Sequence, residues 1–310
     1  MKRLCVLLLI LSPAALTQTQ GRNDTCGAKH LKQCALDIWH DQAGIWTSPL
    51  RLHAADAEWL LPFAGATTLA VYNDRQALRE LGHNQNSIDT SHSISQFGSP
   101  EVTIGAGVGL YGLGLFSKND KLGETGRLGA EAVVDASIVA EGIKLATNRD
   151  RPDQGERTGE FWPSGTKGYS TNGSFPSGHS TASWALARVI GEEYRGFLPR
   201  LLAYGFATAI SVTRVTGRDH FPSDTLVGGG IGYLVGGYVY RHHSAATSEN
   251  SVNIHPMIDA RTRSYGTGVE VPLESFAILF RKRSAQQKSF NTEDTERHKG
   301  KIKAYFRLYP

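Results

Sequence analysis

Gly228, Gly232 and Gly236 recur every four residues inside an uncharged run over 225–240. Residues four apart share one face of an α-helix, so these glycines form a strip without side chains against which a second backbone can lie closely. Each glycine costs a helix about 1 kcal/mol relative to alanine, so such a helix must be held by its neighbours. The run has no turn signals, which favours a buried helix over a strand or a flexible segment. A second uncharged, glycine-rich run covers 102–117. Both fall short of the roughly 20 residues that cross a bilayer. Between Leu128 and Thr147 the apolar pattern carries Glu131, Asp135 and Glu141, which are costly against lipid. These features predict an all-α domain of closely packed helices, water-soluble or bound peripherally to a membrane.

Helices are expected over 57–81, with a break at Pro62, and over 100–116, 126–147, 180–194, 199–212 and 222–241. Pro199 and Pro222 stand in first turns, where the missing N–H does no harm. Lys2 and Arg3, the apolar run 4–11 and the small, polar stretch 14–20 read as a secretory signal. Cys5 leaves with it, so Cys26 and Cys34 remain as a pair able to close a short loop in an oxidising compartment, or as two free thiols. Asn23 and Asn172 begin N-glycosylation acceptor patterns, which are frequent by chance. The chain then divides into a signal (1–20), a lead-in (21–55) that shows order without recognisable chemistry, a helical domain (56–243) and an extension (244–310). In the extension, 252–258 and 268–273 alternate as a pair of short strands around a turn containing Tyr265 and Gly266. The rest of the extension is open to being disordered. From Arg281 onward it holds nine Lys or Arg against three acids, a net charge above the +4 of the whole protein. Such a tail can rest on anionic phospholipid or stay solvated.

Chemistry concentrates in three stretches. Lys144 precedes Arg151-Pro152 by seven residues, Pro176-Ser177-Gly178-His179 opens a helix, and Arg214 is followed by His220 and Asp224. Phosphoryl transfer needs the charge on the phosphate oxygens neutralised and a nucleophile in line with the leaving group. Lys144, Arg151 and Arg214 supply three cations, and arginine is the better fork for two oxygens. Ser177 and Gly178 place backbone donors at a helix N-terminus, where the dipole attracts an anion. His220 and Asp224, four apart with Pro222 between them, can face one side of a helix start. Asp224 is then placed to fix the imidazole tautomer, to stabilise the first helical turn, or to do both. The segment 153–175, with Phe161, Trp162, Tyr169 and Phe175, is a long loop leading into the second stretch.

In order and spacing these stretches resemble the three motifs of the type 2 phosphatidic acid phosphatase family, which shares its scaffold with the vanadium haloperoxidases. The resemblance covers roughly 60–243. Thr213 stands where that family usually has serine. The resemblance implies a helical bundle and double displacement through phosphohistidine. His220 is then the nucleophile, Asp224 its orienting partner, and His179 the acid that protonates the leaving oxygen and later activates water. Lys144, Arg151, Ser177, Gly178 and Arg214 bind the phosphate, without a metal or other cofactor. His220 must attack as neutral imidazole while His179 begins as imidazolium.

The expected activity is thus an exported phosphatase, periplasmic or extracellular, hydrolysing a phosphomonoester or diphosphate. A lipid phosphate is suggested by the resemblance, and peripheral contact with an anionic membrane fits it; no nucleic acid is expected. Two alternatives remain at this stage. One is a vanadate-dependent haloperoxidase with His220 on the metal, and the other is a non-catalytic anion-binding relative.

Overall fold

The computed structural model describes residues 26, 30–152, 159–163, 172–244, 253–259, 264–272, 295–298 and 301–307. The signal, the Asn23 acceptor and Tyr169 lie outside them. Eight α-helices are described: α1 (Leu31–Thr47), α2 (Ala57–Glu80), α3 (Gln85–Ser95), α4 (Pro100–Ser117), α5 (Asp120–Thr147), α6 (Gly178–Glu193), α7 (Phe197–Thr216) and α8 (Pro222–His243). Four strands follow: β1 (Asn253–Asp259), β2 (Ser264–Pro272), β3 (Thr295–His298) and β4 (Lys301–Arg307).

The core is where α5, α6 and α8 meet. Leu128, Ala132, Val133 and Ala136 of α5 pack with Ala182, Ala185, Leu186 and Val189 of α6 and with Val235, Val239 and Tyr240 of α8. The glycine strip of α8 does what its spacing predicts. A methyl group at Gly228 would meet the Ser177 carbonyl oxygen at 2.6 Å, and one at Gly236 would meet that of Ala185 at 2.5 Å. Gly232 faces the Thr181 carbonyl between them. Each glycine therefore lies against a carbonyl oxygen of α6 or of its N-cap, and the acceptors are also four residues apart. That register fixes α8 against α6, and with it the two stretches those helices begin.

The end of α5 is shaped by Asn148, whose left-handed conformation (φ 40°) halts the helix. Asparagine tolerates this better than most residues. The chain then turns directly into Arg149 and Arg151. Ser177 caps α6, and Asp224, in the first turn of α8, accepts the Phe221 N–H at 2.8 Å.

Three expectations are corrected. Helix α2 runs through Pro62 without a break. Pro62 lies in its second turn, where the ring removes only a bond to the Glu58 carbonyl. Helices α1 and α3 are present although the apolar pattern did not disclose them. Their buried residues are polar, Asp37 and Asp41 in α1 and Ser91 and Ser95 in α3, so neither shows an apolar stripe. In the extension, β1 and β2 pair antiparallel as expected, but Tyr265 and Gly266 lie within β2 rather than in a turn. The remainder contributes β3 and β4, which complete an antiparallel sheet of order β1-β2-β4-β3. Cys26 and Cys34 are joined in a disulfide.

No described helix is long and apolar enough to cross a membrane. The surface nonetheless exposes many large apolar side chains, among them Phe197, Leu198, Leu201, Leu202 and Phe206 of α7 and Val108, Leu113, Leu115 and Phe116 of α4.

Candidate active site

The two histidines and three cations expected from sequence come together where α5, α6, α7 and α8 present their ends. Gly178 is the first residue of α6, and a methyl group there would sit 3.3 Å from the Lys144 amine. The glycine thus leaves room for the lysine beside the helix N-terminus. The Ser177 N–H is already taken by the Asp224 carbonyl at 3.0 Å, which ties the starts of α6 and α8 together. Ser177 Oγ caps its own helix by accepting the Ser180 N–H. Serine 177 is therefore committed to the scaffold, while the Gly178 N–H takes no acceptor among the described residues.

Each cation is aimed by a neighbour. Lys144 Nζ donates to Glu141 Oε1 at 2.6 Å. Arg151 Nε donates to the Asn172 carbonyl at 3.0 Å. Arg214 Nη1 lies 3.0 Å from Asp219 Oδ2 and 3.1 Å from Ser95 Oγ, so α3 supplies part of its support. Asp219 is the nearby carboxylate, and His92 of α3 lies 3.3 Å from it.

His220 is buried, and its Nδ1 lies 2.7 Å from the Ser174 carbonyl oxygen. A carbonyl can only accept, so Nδ1 carries the proton and Nε2 keeps its lone pair. Asp224 Oδ2 lies farther from that nitrogen, at 3.6 Å. The carbonyl of Ser174, rather than Asp224, is thus the nearest group that sets the tautomer. Asp224 adds negative potential and, through a 2.5 Å bond from Ser174 Oγ, holds Ser174 itself in place. Burial lowers the His220 pKa, opposed by Asp224, which favours the neutral ring.

His179 responds to the same charges. Its pKa is pushed down to about 3 by burial, then by Arg214, His220, Lys144 and Arg151. All three cations and the second imidazole therefore act on one ring. His179 Nε2 is shielded from solvent and has no hydrogen-bond partner among the described residues. In the protein alone His179 is neutral, whereas the sequence argument requires it to begin protonated.

Sequence reading missed a second layer built around Arg149. This guanidinium donates to Asp224 Oδ1 at 2.5 Å, to Ser223 Oγ at 2.7 Å, to Asp74 Oδ2 at 2.7 Å and to the Gly159 carbonyl at 2.9 Å. Asp74 reaches in from α2 and also accepts the Ser223 N–H at 3.0 Å. Phe161 and Phe221 lie against the guanidinium at 4.7 and 4.4 Å. Arg149 and its two carboxylates are almost wholly buried, so the network holds the loop after α5, the start of α8 and the middle of α2 in one arrangement. The available signal was Arg149 itself, a further cation two residues before Arg151. Asp74, one charge among others on α2, gave none. Thr213 Oγ1 donates to the Ile210 carbonyl of its own helix at 2.9 Å, its one side-chain hydrogen bond among the described residues. Of the loop aromatics, Phe161 packs edge-on against Phe175, and Trp162 is exposed with its indole N–H on the Ala146 carbonyl.

An apolar cavity of about 870 Å³ is lined by Trp59, Phe63, Trp184, Val215, Pro222 and Leu226 among others, and by none of the two histidines and three cations. Val215 follows Arg214 directly, and Pro222 lies two residues after His220.

Residues 129–248 match the PAP2 superfamily model. Lipid A 1-phosphatase from Rhizobium johnstonii is 36% identical over 101 residues, which is 31% of this chain and 38% of that relative's length. Among solved structures, a transmembrane PAP2 type phosphatidylglycerolphosphate phosphatase from Bacillus subtilis is 19% identical, covering 67% of this chain and 92% of that one, with a TM-score of 0.40. LpxE from Aquifex aeolicus is 16% identical over 55% of this chain and 95% of its own, also with a TM-score of 0.40.

Proposed function

We propose that this member of the PAP2 superfamily is an exported phosphatase that hydrolyses a lipid phosphate through a phosphohistidine intermediate. The observation that carries the reading is the action of Lys144, Arg151, Arg214 and His220 on the one ring of His179. A bound phosphate is neutralised by the three cations and accepts from the Gly178 N–H at the start of α6. His220 Nε2, bare because Nδ1 is engaged by Ser174, attacks phosphorus, and His179 donates a proton to the departing oxygen. The covalent phosphate passes to a water from which His179 withdraws the proton.

Protonation of His179 follows from binding. The cations that depress its pKa are the charges that a phosphate dianion offsets, so substrate binding and proton uptake are linked. Charge stabilisation by three side chains gives this route no need of a metal at phosphorus. We assign the catalytic unit to 56–243, with the lead-in 21–55 fastened to it through α1.

The lipid substrate is supported by the apolar cavity and by the exposed apolar faces of α4 and α7. Exposed apolar side chains gathered on one helix face mark a contact with a membrane or a partner. On this reading the protein rests against a membrane outside the cytoplasm, with the acyl region in the cavity and the phosphate among the cations. Phosphate release from long-chain phosphatidic acid in mixed micelles, compared with a short soluble phosphoester, tests this. The long-chain substrate should have the higher kcat/KM, and His220→Ala should lose about 10⁴-fold or more. Undiminished turnover in His220→Ala would contradict the mechanism, and a preference for the short ester would contradict the substrate.

A further inference from the structure

At the middle of α5 and the C-terminal end of α8 lies a second charged centre. Helix α1 contributes Asp37 and Asp41, α5 contributes Glu131 and Asp135, and α8 contributes His243. All four carboxylate residues are buried. His243 Nε2 lies 2.8 Å from both oxygens of Asp41 and 3.8 Å from Glu131 Oε1. Arg127 reaches Glu131 Oε2 at 3.1 Å, and Gln42 donates to Asp135 Oδ1 at 2.7 Å.

With His243 neutral, as a metal ligand must be, the four carboxylates face Arg127 as their one cationic partner among the described residues, and an excess of negative charge remains. Burying unpaired charge is costly, so bound protons or a cation must offset it. Two oxygens mark the deficit: Glu131 Oε1 and Asp135 Oδ2 are shielded from solvent and receive no hydrogen bond among the described residues. The side chains carrying them are 4% and 0% exposed. The donor atoms of Asp37, Glu131 and His243 all lie within 4.8 Å of one another. With metal–ligand bonds of about 2.0–2.2 Å, opposite ligands stand about 4 Å apart, so a small inward movement closes the set.

We propose that Asp37, Glu131 and His243 hold a structural divalent transition-metal ion, of the Zn²⁺ or Mn²⁺ kind, that fastens α1 to α5 and α8. One imidazole nitrogen with carboxylate oxygens suits such an ion better than Ca²⁺ or Mg²⁺, which favour all-oxygen shells. Asp41 stands beside the imidazole nitrogen as a further oxygen donor. Glu131 is thirteen residues from Lys144 along α5, about 20 Å, so the ion plays no part at the phosphate.

The test uses the tag-free full chain, dialysed against Zn²⁺ or Mn²⁺ and then against metal-free buffer, with metal counted by mass spectrometry. One ion per chain is expected, with Tm lowered by at least about 5 °C after chelation and phosphatase turnover retained well below that Tm. The double variant Asp37→Asn, Glu131→Gln should lose the ion. Wild type without a stoichiometric ion, or a double variant that keeps it, would overturn the assignment. Should the double variant not fold, Co²⁺-loaded wild type must show the visible absorption of a mixed nitrogen and oxygen site, and a spectrum of hydrated Co²⁺ alone would also overturn it.

Discussion

Two charged clusters lie along α5 and α8, and they are opposite in kind. Lys144, Arg151 and Arg214 crowd two histidines in one, while Asp37, Asp41, Glu131 and Asp135 crowd one histidine in the other. Burial lowers the pKa of His179 in the first cluster and raises those of Glu131 and Asp135 in the second, Asp135 to about 7. In both places the backbone is held by close helix packing, so the charges cannot separate to relieve themselves. A third buried centre, Arg149 with Asp74 and Asp224, shows a hydrogen-bonded set: one cation bridges two carboxylates, and the Ser223 and Phe221 N–H groups and the Ser174 and Ser223 hydroxyls donate to those carboxylates as well. The contrast separates charge that holds the fold together from charge that awaits a partner of opposite sign.

Breaking the Arg149 network should have the largest effect on stability. Arg149→Met leaves Asp74 and Asp224 buried without their cation, and the expected cost is about 3–5 kcal/mol. Thermal unfolding should show a Tm lower by about 10 °C, given the slope for a domain of this size. An unchanged Tm would mean that the network contributes packing alone. The cation-rich cluster is sharpened by NMR titration of the His179 ring. Its pKa should rise from about 3 toward the ordinary histidine range when inorganic phosphate or vanadate is added, because the anion offsets Lys144, Arg151 and Arg214. No movement would mean that the anion binds elsewhere.

Smaller changes probe how closely the parts fit. Gly178→Ala puts a methyl group 3.3 Å from the Lys144 amine, so the lysine must shift by a few tenths of an ångström. KM should rise about tenfold with a lesser fall in kcat, as expected when a binding group is displaced. Thr213→Ser should change stability by no more than about 0.5 kcal/mol and leave kcat/KM within a factor of two, since the hydroxyl only returns to its own helix.

The sequence disclosed features that have a period or a fixed spacing. The strip of Gly228, Gly232 and Gly236 predicted close helix contact, and the contact is with backbone carbonyls four residues apart in turn. The three motif stretches named residues that do converge. Helices α1 and α3 were hidden because they bury Asp37, Asp41, Ser91 and Ser95, so apolar periodicity was silent where polar packing does the holding. For the same reason the support of Arg214 by Ser95 was not legible. Asp74 and Arg149 meet across seventy-five positions of chain, and neither residue taken alone differs from a surface charge. The Ser174 carbonyl that stands nearest His220, beside Asp224, was not legible, because side-chain spacing says nothing about carbonyls.

The central claim is that phosphate is passed to the bare nitrogen of His220. Rapid acid-free quenching during turnover, followed by peptide mass spectrometry under conditions that preserve phosphoramidates, tests it directly. The account predicts one phosphate on His220, absent from His220→Ala and accumulating in His179→Ala when the leaving group needs no proton. Phosphate found on another residue, or turnover with no phosphoenzyme at any time point, would contradict it.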